Sequence, residues 1–185
     1  MNILFLMADQ IAPHFLPACG HKVVKTPRLD ELAARSVIFD AHYSNSALCV
    51  PARAGLLTGH LPSEINVFDS GCDYEFSVPT FAHYLRANGH VTVQSGKAHY
   101  IGADQLHGLE KRLTTDICPA DNCWYGNWDE PDLKLNWFHD LKNVVTAGIA
   151  ERSSQQDYDD DAAHAAVRWL FDYARDLTVD RSSSR

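Results

Sequence analysis

Apolar positions along this chain fall into two kinds of run. Ile3 to Ala8, Val37-Ile38-Phe39 and Val91-Thr92-Val93 are short and unbroken. Runs of that kind mark strands buried on both faces of a parallel or mixed sheet. Other apolar residues recur at helical spacing. Thr26 to Arg35 reads as an amphipathic helix with Thr26 as N-cap, Pro27 as its first residue, and Asp30 and Glu31 in the first turn. Pro79 to Gly89 reads as a second helix, with Gly89 closing it in the left-handed conformation that glycine favours. The acids from Asp157 to Asp161 suit a helix N-terminus, and Ala162, Ala165, Ala166, Trp169, Leu170 and Tyr173 continue that helix. Residues 11–26 read as loop, and Ser182 to Arg185 as a frayed end. These elements predict an α/β fold, a sheet flanked by helices, with no repeat or linker.

Composition narrows the function classes. Of the 185 residues 45% are hydrophobic and 22% charged, which is ordinary globular usage. A formal charge of −8 argues against nucleic acid and anionic membranes as partners. No run reaches the ~18 apolar residues of a membrane span. The first residues lack a basic segment and meet Asp9 too soon for a signal peptide, so the expected location is the cytoplasm. Five cysteines (Cys19, Cys49, Cys72, Cys118, Cys123) without a Cys-x-x-Cys pair argue against a disulfide framework or zinc ribbon.

Candidate chemistry concentrates in Cys49-Val50-Pro51-Ala52-Arg53 and its tail Leu57-Thr58-Gly59. Pro51 sits where the first turn of a helix would begin, with Cys49 at or just before its N-terminus. Unpaired N–H groups and the helix dipole favour negative charge there. Arg53, one turn on, can point at the same anion. A plain alternative is a capping loop with a buried thiol. Two more stretches carry chemistry. Asp9-Gln10 ends the first apolar run, where ligands gather in open α/β sheets. Lys97 and His99 follow the Val91–Val93 run and alternate with Ala98, so extended backbone would send both side chains to one face. A cation beside an imidazole suits an anion and a leaving group that needs a proton. His14 and His21 read as surface loop, and His83 as a packing or surface residue.

Cys49-x-Pro51-x-Arg53 with Thr58-Gly59, Asp9 after a first strand, Thr26-Pro27-x-Leu29-Asp30-x-Leu32-Ala33, and Gly96-Lys97-x-His99 together resemble type I sulfatases of the alkaline-phosphatase-like superfamily. The segment from Asp104-Gln105-Leu106-His107-Gly108 through Leu113-Thr114-Thr115-Asp116-Ile117 to Pro119-Ala120-Asp121 is similar to that of choline sulfatases within it. The resemblance implies that a formylglycine-generating enzyme oxidises Cys49 to formylglycine, whose hydrate attacks sulfur. Asp9, Gln10 and the converted Cys49 would hold a divalent cation. Ca²⁺ is the first expectation and Mn²⁺ or Mg²⁺ the alternatives. Gln10 stands where many members carry a second acid, and its amide oxygen suits a hard cation. Arg53 and Lys97 would stabilise sulfate charge, and His99 would assist the leaving group. The implied substrate is choline sulfate, a quaternary ammonium ester that aromatic faces recognise. Trp124 and His139 align with choline-pocket residues, while Ser70, Gly126 and Asn127 depart from the subgroup pattern.

The whole of 1–185 is then expected to be the N-terminal part of a sulfatase catalytic domain. Later ligands of the family site, an Asp-His/Asn pair and a further lysine or histidine, are not in it. Self-association is a further expectation for a full-length form. Two other readings remain at this stage: a hydrolase of the same fold acting on phosphonate monoesters or phosphodiesters, and a remnant or binding module without activity.

Overall fold

The computed structural model describes residues 1–118, 129–130, 142–145 and 147–183. They form two compact units, residues 1–43 and 44–185.

The first unit holds two single 3-10 turns, Pro13–Phe15 and Pro17–Cys19, and helix α1, Pro27–Ala33. Pro27 begins α1 as expected, since a missing N–H costs nothing in a first turn. Thr26 does occupy the N-cap position, but its hydroxyl donates to the Asp30 carboxylate (3.1 Å) instead of capping the main chain. The loop reading of 11–26 stands. There the His21 Nδ1 accepts the N–H groups of Val23 and Val24 at 3.2 and 2.9 Å. The strand expected over Ile3 to Ala8 is absent, and so is the one over Val37 to Phe39. Ile3 and Leu6 are 61% and 75% exposed. An apolar run becomes a strand only through hydrogen-bonded neighbours. Among the described residues the sheet has two strands, and neither lies in this unit.

The second unit is built around helix α2, Cys49–Thr58. Val50 and Ala54 bury their side chains with Ile65, Val67, Tyr74 and Ile101. Leu57 packs against this cluster and against a second one of Ala82, Ala98, Tyr100 and Leu109. Gly55 lies mid-helix because a Cβ there would strike the Asn45 side chain. Gly59 (φ +75°) stops the helix, its N–H reaching the Gly55 carbonyl at 2.9 Å.

Helix α3 spans Phe81–Ala87. Its cap corrects the reading of His83. The His83 Nδ1 accepts the N–H of the N-cap residue Thr80 at 3.0 Å, and the His83 N–H donates to the Thr80 carbonyl. The Thr80 hydroxyl then donates to the His107 carbonyl at 2.6 Å, tying α3 to a distant loop.

Strands β1 (Val93–Gln94) and β2 (Lys111–Arg112) pair in parallel, Val93 opposite Lys111 and Gln94 opposite Arg112. The Val91–Val93 run thus makes a strand only from its last residue, Val93, and on to Gln94. A second pair of charged residues offered no alternation by which to find β2. Helix α4 is a single turn, Lys142–Val145. Helix α5 runs from Ser154 to Ser183, beginning before the expected acids and continuing into the expected frayed end. Two bonds dock it on the loops that leave the strands: Ser95 Oγ to the Ala162 carbonyl (2.6 Å) and the Tyr158 hydroxyl to the Thr115 carbonyl (2.8 Å).

Candidate active site

The loop before α2 is held by its serines. Ser44 Oγ donates to the Ser46 carbonyl (2.6 Å), and Ser46 Oγ accepts the Leu48 N–H (3.1 Å). Leu48 is extended and caps the helix, so Cys49 is its first residue and Pro51 its third. The helix therefore starts two residues before Pro51, because proline is tolerated throughout a first turn that has no donor to lose. The result sharpens the sequence reading. The Cys49 thiol, half-buried, stands at the positive end of the helix.

Lys97 arrives from the loop after β1, its Nζ 3.4 Å from the Cys49 Sγ. Arg53 does not simply share the anion site. Its Nη1 donates to the Lys97 main-chain carbonyl at 2.8 Å, and Gln94 Nε2 donates to the same oxygen at 3.0 Å. Arg53 thus binds the backbone that carries Lys97. The second unit brings together Cys49, Arg53 and Lys97.

His99 differs from expectation. Its backbone is left-handed (φ +54°), not extended, and its side chain is only 4% exposed. Simple alternation with Lys97 therefore does not apply. The cause is Asp116, whose Oδ2 accepts the N–H groups of both Ala98 (3.0 Å) and His99 (2.6 Å) and curls the chain there. Gly96, at φ +91°, donates its N–H to Thr114 Oγ1 at 2.9 Å. Gln94, Thr114 and Asp116 were not singled out in the sequence. The only signal was that Thr114 and Asp116 fall within the long choline-sulfatase-like segment.

Farther along the same loop, Tyr100 and Tyr74 enclose His107. Tyr74 stacks on its ring at 4.1 Å and Tyr100 meets it edge-on at 4.8 Å. Burial pushes the Tyr100 phenol up to about 12, opposed by the guanidinium charges of Arg112 and Arg53. Burial likewise holds His107 below the ordinary imidazole range, against the pull of the Asp104 and Asp73 carboxylates.

The other sequence-derived residues belong to other segments of the chain. Asp9 and Gln10 form a turn in the first unit, Gln10 at φ +55°. Their oxygens are hard donors of the kind Ca²⁺ takes, but two donors fall short of its ~6–8. Among the described residues no three His, Cys, Asp or Glu side chains converge as a metal site. The pair fits a cation in kind and not in number. Trp124 and His139 lie outside the described residues, as do Tyr125, Trp128, Trp137, Phe138, Gly126 and Asn127. Ser70 is half-buried beside Asp69, whose Oδ1 accepts the Gly71 N–H at 2.8 Å and the Cys72 thiol at 3.2 Å. Cys19 and Cys49 carry free thiols. Among the described residues no helix is long and apolar enough to cross a membrane.

Comparison with known proteins gives a consistent answer. The sulfatase family profile matches residues 1–177. A choline-sulfatase of Rhizobium meliloti is 43% identical over 95% of this chain and 34% of its own length. An N-acetylglucosamine-6-O-sulfatase of Bacteroides thetaiotaomicron is 32% identical over 80% of this chain and 25% of its own. The chain thus spans between a quarter and about a third of these two curated relatives. Among solved structures, one determined in complex with its substrate D-glucosamine-2-N,6-O-disulfate superposes with a TM-score of 0.56. It is 31% identical and covers 60% of this chain and 22% of that one. A phosphonate monoester hydrolase of Agrobacterium radiobacter shares the fold, with a TM-score of 0.61 at 24% identity, covering 88% of this chain and 36% of that one. The α/β arrangement expected from the sequence is the arrangement of these neighbours.

Proposed function

Because this chain belongs to the sulfatase family, we propose that it is the nucleophile-bearing segment of a sulfuric ester hydrolase that cleaves choline sulfate to choline and sulfate. The observation that carries this reading is the Lys97 Nζ 3.4 Å from the Cys49 Sγ at a helix N-terminus. The 43% identity to a choline-sulfatase supports the choice of ester.

A formylglycine-generating enzyme is the partner that would convert Cys49. The side chain fits that role: it is half-buried, leads a helix and faces a cation. When formed, the hydrated aldehyde supplies an oxygen nucleophile for sulfur. This chain's own residues do the rest. Helix N–H groups and Lys97 attract the sulfate oxygens and offset the charge that grows on them. Arg53 fixes the Lys97 backbone and adds positive charge. His99 would donate a proton to the departing oxygen, so that choline leaves with its hydroxyl intact. Trp124 and His139 would bind the quaternary ammonium. A Ca²⁺ ion would find two of its oxygens at Asp9 and Gln10, and no step above depends on it.

The test of reaction class is turnover of an aryl sulfate against the matching aryl phosphonate monoester, on chain matured with the generating enzyme. Preference for the sulfate supports the proposal. Preference for the phosphonate would replace it with a phosphonate hydrolase of the same fold.

A further inference from the structure

We propose that Asp116 is a positioning residue for the reaction, acting as the main-chain anchor that sets Lys97 and His99, with Arg112 as its clasp. This rests on the sulfatase reading of the site. Among the described residues the carboxylate meets only donors. Its Oδ2 accepts Ala98 N–H, His99 N–H and Arg112 Nη2 (2.9 Å), and its Oδ1 accepts Cys118 N–H at 3.2 Å. Two successive N–H groups converging on one anion form the concavity that binds phosphates elsewhere, and here it is filled by the chain's own carboxylate. An oxygen saturated by donors is not poised to take a proton from substrate. Its work is to hold shape.

The shape held is unusual. His99 is a non-glycine residue at φ +54°, a conformation L-residues seldom adopt without compensation. A 2.6 Å bond to a carboxylate is the compensation on hand. Arg112 is fixed in turn. Its Nη1 donates to Gln105 Oε1 (2.9 Å) and to the Gln105 carbonyl (3.3 Å), and its guanidinium lies over the Tyr100 ring at 5.5 Å. Arg112 and Asp116 are 12% and 9% exposed at the side chain. Because β2 contains Arg112 and β1 leads into Lys97, the clasp also locks the register of the strand pair to the loop.

The variants separate anchoring from mere stability. Asp116→Asn can keep its oxygen toward Ala98, His99 and Arg112 and lose only the Cys118 contact. Asp116→Ala loses all four bonds. In matured chain we expect Asp116→Ala to lower kcat about 10- to 100-fold with KM changed less than about threefold, and Asp116→Asn to restore most of it. Thr80→Ala, destabilised at a cap away from the site, is the control. A kcat unchanged in Asp116→Ala, or reduced no more than in Thr80→Ala at equal loss of Tm, would overturn the proposal.

A second readout needs no turnover. In ¹⁵N-labelled wild-type chain the His99 amide proton should lie downfield and exchange slowly, and in Asp116→Ala both marks should vanish at Ala98 and His99 together. A rapidly exchanging His99 amide in wild type would overturn the anchor even if Asp116→Ala does not fold. Absence of sulfate release by matured wild type, with the amide signals as expected, would count against the sulfatase reading and leave the anchor standing as a structural one.

Discussion

Lys97 Nζ stands 3.4 Å from Cys49 Sγ, across 48 residues of sequence. Two independent elements, the start of α2 and the loop after β1, deliver a cation to a helix N-terminus. Two donors hold the Lys97 carbonyl from the other side. Lys97→Ala should therefore remove charge stabilisation where the proposed sulfate would sit, lowering kcat by about 10²–10³ on the scale of a lost oxyanion donor. Steady-state sulfate release by matured wild-type and variant chain measures it.

Arg53 has a structural share as well as a charge. Arg53→Ala leaves the Lys97 carbonyl to Gln94 and removes a half-buried bond from a charged donor. Such bonds contribute about 1.5–3 kcal/mol, so the urea midpoint should fall accordingly. Arg53→Lys should recover little of it, since the guanidinium fork reaches the main chain from a fixed geometry. Urea melts of the three proteins give the comparison.

Thr80 is fully buried and serves three partners: its N–H to His83, its hydroxyl to His107 and its carbonyl to the first turn of α3. Thr80→Ala should cost about 1–2 kcal/mol as a lost cap, and leave kcat unchanged. Thermal unfolding with a parallel turnover assay checks both.

His107 should make stability fall in mild acid. Burial holds its folded pKa below the unfolded value, so the unfolded chain binds the extra proton first. Stability is then intact above the ordinary imidazole range and declines as pH drops from there through the folded value. Asp104, whose carboxyl is held low by N–H bonds from Leu106 and His107 against the effect of burial, adds loss of the same sign further down. Asp73, raised by burial, works in the opposite sense. His107→Phe should flatten the slope between about pH 7 and 5, the window set by an ordinary imidazole. Urea midpoints across that range read it directly.

The chemistry was legible where it is local in sequence. Cys49, Pro51 and Arg53 lie within one turn and a half, so their spacing announced a helix start with a thiol and a cation on it. Of the two places the sequence left for Cys49, at the N-terminus or just before it, the structure takes the first, because proline is equally at home anywhere in a first turn. Ile3 to Ala8 was read as a central strand, but an apolar run encodes only a demand for neighbours, and none pairs with it among the described residues. β2 was invisible since Lys111 and Arg112 carry no strand pattern. His83 and Asp116 were missed for one reason. Each serves main-chain N–H groups, and such service leaves no mark in residue spacing. His99 shows the consequence: its left-handed backbone depends on a carboxylate 17 residues away.

The most direct test is sulfate release from choline sulfate by this chain and its Cys49→Ala variant, each co-expressed with a formylglycine-generating enzyme. The account predicts release by the wild-type chain and none by the variant. Equal release from both would show that position 49 is not the nucleophile. No release from a soluble wild-type chain shown by mass to carry the aldehyde would contradict the claim that these residues perform the hydrolysis.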